Sequence, residues 1–192
     1  KEIRASFDRP TEMTIFQYGG DADTTMTPRD SIRYYKSFLR ASILSMTPQT
    51  GAIRAWVGGI DYKNFKYDMV RYGRRQIGST FKPFVYATAI DQMHMSPCDT
   101  LPNAPYCIPQ GRFGIPEDWC PKNSSDTYGG MMSLKDALAN SVNTVTARLI
   151  DRVGPKPVID LAEKMGVAPG RIPQAPSIAL GTPDLSLYEM VG

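Results

Sequence analysis

The chain has 192 residues, of which 42% are hydrophobic and 21% are charged, and its formal net charge is +3. This length and composition predict an ordinary globular domain with an extension. The charge is too small to argue for a nucleic-acid partner, and no apolar run approaches the length that crosses a bilayer.

In the first part of the chain, up to residue 76, most of the predicted regular structure begins at residue 27. Residues 1–36 are polar and read as a linker with one short strand. Thr27-Pro28-Arg29-Asp30 begins a helix that runs to Leu39. Two apolar runs, 40–47 and 52–59, are joined by a turn with Pro and Gly, which predicts a β-hairpin. Residues 60–76 form a polar, aromatic and basic loop.

The second half is predicted to alternate between helices and irregular segments. Its predicted parts, in chain order, are a buried helix that begins near Ser79, a long excursion over 96–130, helical sequence over 133–153, a helix over 158–165 closed by Gly166, a loop over 167–183, and a helix capped by Ser186 and Glu189.

Residues 76–85 place a hydroxyl and an amine three positions apart, as Ser79 and Lys82. Gly78 permits a tight turn before the serine, and Pro83 is tolerated only in the first turn of a helix. Because positions i and i+3 lie on one helical face, the two side chains are expected within reach of each other. Such a pair supports nucleophilic catalysis with an amine as the base. A Ser-x-x-Lys match also arises by chance, and the alternative is a capped core helix with a surface lysine.

Residues 133–153 carry a second polar cluster inside an apolar helical stripe. One interpretation is a single amphipathic helix with a polar patch. The other is two helices with a short break that presents Ser141 and Asn143 to a cleft, since these residue types favour local side-chain hydrogen bonds over helix interiors.

Ser79-Thr80-Phe81-Lys82 and Ser141-Val142-Asn143 together resemble the Ser-x-x-Lys and Ser-x-Asn motifs of penicillin-binding transpeptidases and serine β-lactamases. The flanking segments Thr50–Tyr62, Arg75–Phe84 and Ala137–Thr144 narrow the resemblance to class A, bifunctional penicillin-binding proteins. The resemblance is good over residues 37–192.

This resemblance implies an α/β (α+β) fold of the penicillin-binding-protein and serine β-lactamase type, with an antiparallel sheet flanked by helices. It implies that residues 1–36 are the connector from a glycosyltransferase domain and that residues 37–192 are the N-terminal part of the transpeptidase domain. The third family motif, Lys-Thr-Gly on a downstream strand, does not occur in the 192 residues. We therefore expect a fold that is incomplete at its C-terminus, and a fragment that is inactive on its own.

The resemblance also assigns roles to individual residues. Ser79 is the nucleophile, Lys82 its base, Ser141 the group that passes a proton to the departing amine, and Asn143 the group that orients the substrate amide. The candidate substrate-binding residues are Gly78, Trp119 and Thr144, although a packed anchor for its loop is the simpler explanation of Trp119. No cofactor is implied. The three cysteines and the single histidine match no zinc template, so no metal is expected.

The implied activity is a D,D-transpeptidase that cross-links peptidoglycan stem peptides through a serine acyl-enzyme and is inhibited by β-lactams. The alternatives are a D,D-carboxypeptidase or serine β-lactamase, and a non-catalytic penicillin-sensing domain. Glu163-Lys164-Met165-Gly166 does not match the deacylating Glu-x-x-Leu-Asn segment of class A lactamases. The implied partners are stem peptides, β-lactams and other cell-wall synthesis proteins, and no nucleic acid. The implied location is the periplasmic face of the cytoplasmic membrane, with the anchor upstream in the parent protein.

Cys107 and Cys120 flank one excursion of the chain, and in an oxidising periplasm they are positioned to form a disulfide. The alternative is that these two cysteines and Cys98 are all reduced.

Overall fold

The computed structural model describes residues 2–192, and within them helices and short strands alternate. The α-helices are α1 (Glu2–Phe7), α2 (Pro28–Ser37), α3 (Lys82–Met93), α4 (Leu134–Ala139), α5 (Asn143–Val153), α6 (Pro155–Lys164) and α7 (Leu187–Val191). Short 3₁₀ helices cover Gly78–Phe81, Arg112–Gly114 and Pro176–Leu180.

The strands pair as two-stranded antiparallel ladders over the described residues. These ladders are β1 (Thr11–Ile15) with β2 (Ala22–Met26), β3 (Ile43–Met46) with β4 (Ile53–Val57), β5 (Arg74–Gln76) with β8 (Asp184–Ser186), and β6 (Thr100–Pro102) with β7 (Met131–Ser133). The predicted hairpin over 40–59 is confirmed as β3 and β4. The loop predicted over 60–76 ends in strand β5. Because β5 pairs with a strand more than 100 residues away, no local sequence pattern indicates this strand.

The predicted linker over 1–36 is more structured than its polar composition suggests. It holds α1 and the β1–β2 hairpin, whose alternating residues follow the period of two that a half-buried strand requires. The predicted helix start at Thr27 is confirmed, because the side-chain oxygen of Thr27 accepts a hydrogen bond from Asp30 N.

An aromatic cluster joins residues 1–36 to the rest of the chain. Phe16 and Phe65 are 7% and 5% exposed, and their rings pack edge to face with centroids 5.3 Å apart. Phe38 packs against both rings. Edge-to-face aromatic pairs contribute beyond the area they bury, so this cluster fixes the β1–β2 hairpin against the loop that follows β4.

The core lies between α3 and α5. Phe81, Val85 and Ala89 on one side, and Val145 and Leu149 on the other, are fully buried. Their spacing is the i, i+4, i+8 stripe that the sequence predicts, and each buried Val or Leu side chain contributes about 2 kcal/mol. This packing holds the first turn of α3 against the first turn of α5, which is where the candidate catalytic groups lie.

The helical sequence over 133–153 forms two helices, as the second interpretation predicted. Ser133 caps α4, and the chain breaks after Ala139 before α5 begins at Asn143. The helix predicted over 158–165 starts earlier, at Pro155, because proline is favoured in a first turn. The capping box of Ser186 and Glu189 is present at the start of α7.

The excursion over 96–130 is held together by a disulfide and by a short backbone bridge. Cys107 and Cys120 are bonded, and Ile108 and Trp119 exchange both main-chain hydrogen bonds at 2.9 Å. The predicted pairing is therefore confirmed, and Cys98 is free and exposed.

Within residues 2–192, no helix combines the length and the apolar composition that a membrane crossing requires. In the same part of the chain, no group of three or more His, Cys, Asp or Glu residues is arranged to hold a metal ion.

Candidate active site

The candidate nucleophile, Ser79, lies in the tight turn that forms the entry to helix α3. Gly78 has φ of +57°, and a 3₁₀ turn over Gly78–Phe81 leads directly into α3 at Lys82. Ser79 lies inside this turn as a helical residue and is exposed, and no side chain caps the turn. Lys82 is helical despite the proline that follows it, with φ of −53° and ψ of −40°.

A distant loop holds this entry in place through main-chain contacts. Gly78 N donates to Gly181 O at 2.9 Å, and Ile77 N donates to Pro183 O at 3.2 Å. A Cβ at Gly181 would lie 1.7 Å from Gly78 O, so only glycine allows this approach. The sequence does not indicate a role for Gly181, because Gly78 and Gly181 are 103 residues apart and no local pattern links the two positions.

The Lys82 amine is buried and directed at the break between α4 and α5. The residue is 1% exposed. Nζ lies 2.6 Å from Ser141 O, 2.9 Å from Ser141 Oγ and 2.7 Å from Asn143 Oδ1. The two predicted motifs are therefore in contact, and the surface-lysine alternative is wrong.

Burial lowers the pKa of the Lys82 ammonium from its usual value of 10.5 to about 8. The physical cause is the loss of hydration of the charged form, and no carboxylate contributes to this shift. A neutral amine has two N–H groups and one lone pair, which match two carbonyl-type acceptors and one hydroxyl donor. The geometry thus suits both protonation states of the amine.

The break itself places Ser141 in a conformation that is rare for a residue with a side chain. Ser141 has φ of +53°, in the left-handed region. Ser141 N donates to Leu138 O and Val142 N donates to Ala137 O, which closes α4. This sharp reversal lets the carbonyl and the hydroxyl of one residue contact the same amine.

The other predicted residues lie around this centre in different ways. Thr144 is fully buried and its Oγ1 donates to Asn103 Oδ1 at 3.0 Å, so its assignment to substrate binding stays a prediction that the burial does not favour. Trp119 is partly buried against the core and, with Pro176, lines a cavity of about 300 Å³. Its role in the substrate groove stays a prediction. The sequence also does not indicate a role for Asn123, whose side chain accepts hydrogen bonds from the first two N–H groups of α5.

Comparisons with known proteins agree with this arrangement of motifs. Residues 41–169 match the family model described as the penicillin-binding protein transpeptidase domain, and residues 1–39 match the penicillin-binding protein middle domain. Penicillin-binding protein 1A of Neisseria cinerea is 35% identical over 144 residues, which are 75% of this chain and 18% of the relative. The same protein of Neisseria flavescens is 32% identical over 174 residues, covering 91% of this chain and 21% of the relative.

Solved structures give the same result. The crystal structure of penicillin-binding protein 1A from Haemophilus influenzae superposes with a TM-score of 0.72 at 29% identity, over 78% of this chain and 22% of that one. The PonA1 protein from Mycobacterium tuberculosis, solved in complex with penicillin V, superposes with a TM-score of 0.64 over 98% of this chain and 51% of that one. At 21% identity this second match shows the fold alone. The chain spans about a fifth of the length of the curated relatives, and it belongs to the penicillin-binding protein family, with residues 41–169 in the transpeptidase domain.

Proposed function

We propose that this chain is part of a D,D-transpeptidase that cross-links peptidoglycan stem peptides through an acyl-enzyme on Ser79. The observation that carries the proposal is the buried Lys82 amine, which lies one helical turn from an exposed serine and contacts both Ser141 and Asn143. An amine and a hydroxyl three helical positions apart can act as a base and its nucleophile when the two side chains come within hydrogen-bond reach.

Acylation begins with Lys82 in its neutral form. The amine lone pair accepts the proton of Ser79 Oγ, and the oxygen attacks the carbonyl carbon of the penultimate D-Ala of a stem peptide. The carbonyl electrons move to the oxygen, which becomes an oxyanion. The N–H groups of the first helical turn have no intrahelical partner, so the N–H of Ser79 serves as one oxyanion donor.

Collapse of the tetrahedral intermediate breaks the C–N bond to the terminal D-Ala. Ser141 Oγ, 2.9 Å from Lys82 Nζ, donates a proton to the departing amine and recovers one from the Lys82 ammonium. The amine of a second stem peptide then attacks the ester carbonyl and forms the cross-link, while Ser79 regains its proton. A β-lactam acylates Ser79 by the same steps but keeps its leaving nitrogen tethered.

The similarity to curated relatives supports transfer of the acyl group to an amine rather than its hydrolysis. The matching curated proteins are penicillin-binding proteins 1A, and the sequence has no counterpart of the deacylating glutamate segment of class A lactamases. We place the parent protein at the periplasmic face of the cytoplasmic membrane, with an upstream anchor and glycosyltransferase domain, and residues 1–36 as the connector. We also propose that other cell-wall synthesis proteins are partners of the parent protein.

Residues 1–192 on their own are expected to acylate poorly. The family's Lys-Thr-Gly strand supplies the second oxyanion donor and a substrate-binding edge, and that tripeptide does not occur in this sequence. Losing one oxyanion donor costs about 100- to 1000-fold in rate.

The test is covalent labelling of the complete protein with fluorescent penicillin, followed by mass mapping of the labelled peptide. Label on Ser79 and none on Ser79→Ala support the acyl-enzyme, and an unlabelled wild-type protein overturns it. Hydrolysis of the acyl-enzyme by water, with no cross-linked dimer formed when a stem-peptide acceptor is supplied, would instead support a hydrolase.

A further inference from the structure

The Asn143 amide is held at both ends. Its Oδ1 accepts from Lys82 Nζ at 2.7 Å, and its Nδ2 donates to the main-chain oxygen of Lys122 at 2.8 Å. An amide turned by 180° would direct its NH₂ at the ammonium and its oxygen at a carbonyl, which are two repulsive contacts. The Lys122 carbonyl therefore decides which end of Asn143 faces the amine.

The next residue, Asn123, holds the main chain of the same element. Its Oδ1 accepts from Asn143 N at 3.0 Å and from Thr144 N at 3.1 Å. Its Nδ2 donates to Asn103 Oδ1 at 2.8 Å and to Thr127 O at 2.9 Å. The residue is 7% exposed, and all four hydrogen-bonding positions of its side chain are filled.

We propose that Asn123 is a positioning residue for the reaction, which acts by fixing the orientation of Asn143 against the Lys82 amine. The inference rests on the proposed function, since Lys82 matters in this way only if it is the base. Asn123 does not touch the reacting groups. It acts through α5, whose first turn carries Asn143, and through its own main-chain neighbour Lys122, which binds the Asn143 side chain.

The position in the chain of the residue that caps helix α5 supports this role. The residue at the N-cap of α5, Val142, makes no side-chain capping bond, although a local Ser, Thr, Asn or Asp would cap the helix more simply. The cap comes instead from Asn123, which lies 20 positions upstream of Asn143 in the excursion that the disulfide anchors. Two consecutive residues, Lys122 and Asn123, thereby bind both the main chain and the side chain of Asn143.

The experiment measures the rate constant of acylation by fluorescent penicillin in the complete protein across a pH series. The variants are Asn123→Ala, Asn123→Asp, Asn143→Ala and the double variant with alanine at 123 and 143. Asn140→Ala is the matched control, because Asn140 is an exposed asparagine in the same break whose amide donates only to Asp136 O. Thermal unfolding reports which variants are folded.

Asn123→Ala is expected to slow acylation roughly 5- to 100-fold, the effect of losing a buried hydrogen-bond network, while Asn140→Ala leaves the rate unchanged. Asn123→Asp keeps the acceptor that caps α5 but turns a carboxylate oxygen towards Asn103 Oδ1 and Thr127 O, so it is expected to unfold at a lower temperature than the wild type while the start of α5 stays capped. The groups that face the amine from the break and from α5, Ser141 and Asn143, are uncharged. A new carboxylate nearby therefore favours the ammonium, and the pH midpoint of acylation moves upward.

The double variant separates positioning from folding. If Asn123 acts through Asn143, its removal has little further effect once Asn143 is alanine, whereas independent structural damage adds to the loss. Additive effects, or folded Asn123 variants that keep the wild-type rate and pH midpoint, overturn this inference while leaving the acyl-enzyme intact. A wild-type protein that is never labelled overturns the proposed function itself.

Discussion

Acylation of Ser79 is expected to accelerate as the pH rises through about 8, because only the neutral form of Lys82 accepts the serine proton. The pKa of Lys82 is lowered from 10.5 to about 8 by burial. Below this pKa the ammonium form dominates and blocks the reaction, so the rate falls as the pH falls.

The size of the effect follows from the same pKa. At pH 7 about one-tenth of Lys82 side chains are neutral, against roughly one in three thousand for a lysine with the usual pKa of 10.5. The acylation rate constant should therefore fall about tenfold for each pH unit below about 7, and it should level off above about 9.

The assay is the second-order rate constant for fluorescent penicillin, measured with the complete protein over that pH range. Lys82→Arg is the control, since a guanidinium stays protonated and should block acylation at every pH. A rate that is flat between about pH 6 and 9, or an arginine variant that acylates normally, would refute the assignment of Lys82 as the base.

Three further predictions concern stability. The folded protein loses the Lys82 proton at lower pH than the unfolded chain does. In urea unfolding, the free energy of unfolding of the wild type should therefore rise relative to that of Lys82→Met between about pH 8 and 10.5, by up to about 1.4 kcal/mol per pH unit. A difference that stays constant over this range would contradict the buried amine. Gly181→Ala should cost about 1–3 kcal/mol more than Gly170→Ala in thermal unfolding, because both residues have left-handed φ but only Gly181 is in close contact with another segment. Replacing Cys107 and Cys120 by serine should lower the free energy of unfolding by about 3 kcal/mol, and equal melting temperatures would argue against the bridge.

The catalytic candidates were accessible from sequence because their signals are local. Ser79 and Lys82 share one helical turn, and the small polar residues Ser141 and Asn143 interrupt an apolar stripe. The same local rules correctly indicated the helix starts at Thr27 and Ser133. What joins the two motifs in space is the α3–α5 packing, which the apolar periodicity of each helix predicts only in part.

The parts that sequence did not predict depend on contacts between distant segments. Gly181 lies in a stretch predicted as a loop, and its importance follows from one main-chain approach to Gly78. Asn123 lies among other polar residues of a long excursion, where an asparagine is unremarkable until its four partners are known. The β5–β8 pairing is non-local in the same way, and strand pairing over such distances has no periodicity to read.

The left-handed conformation of Ser141 connects these observations. A non-glycine residue with φ of +53° is held there at a cost, and such strain persists only where the surroundings impose it. Here α4 ends on one side and the capped start of α5 holds the other, so the break cannot relax into a continuous helix. The reversal brings both oxygens of Ser141 to the Lys82 amine, and because neither oxygen carries a full charge, these contacts leave the burial of the amine to lower its pKa. A carboxylate in the break would have stabilised the ammonium and raised its pKa, so that far less of the amine than the present fraction of about one-tenth would be neutral at pH 7.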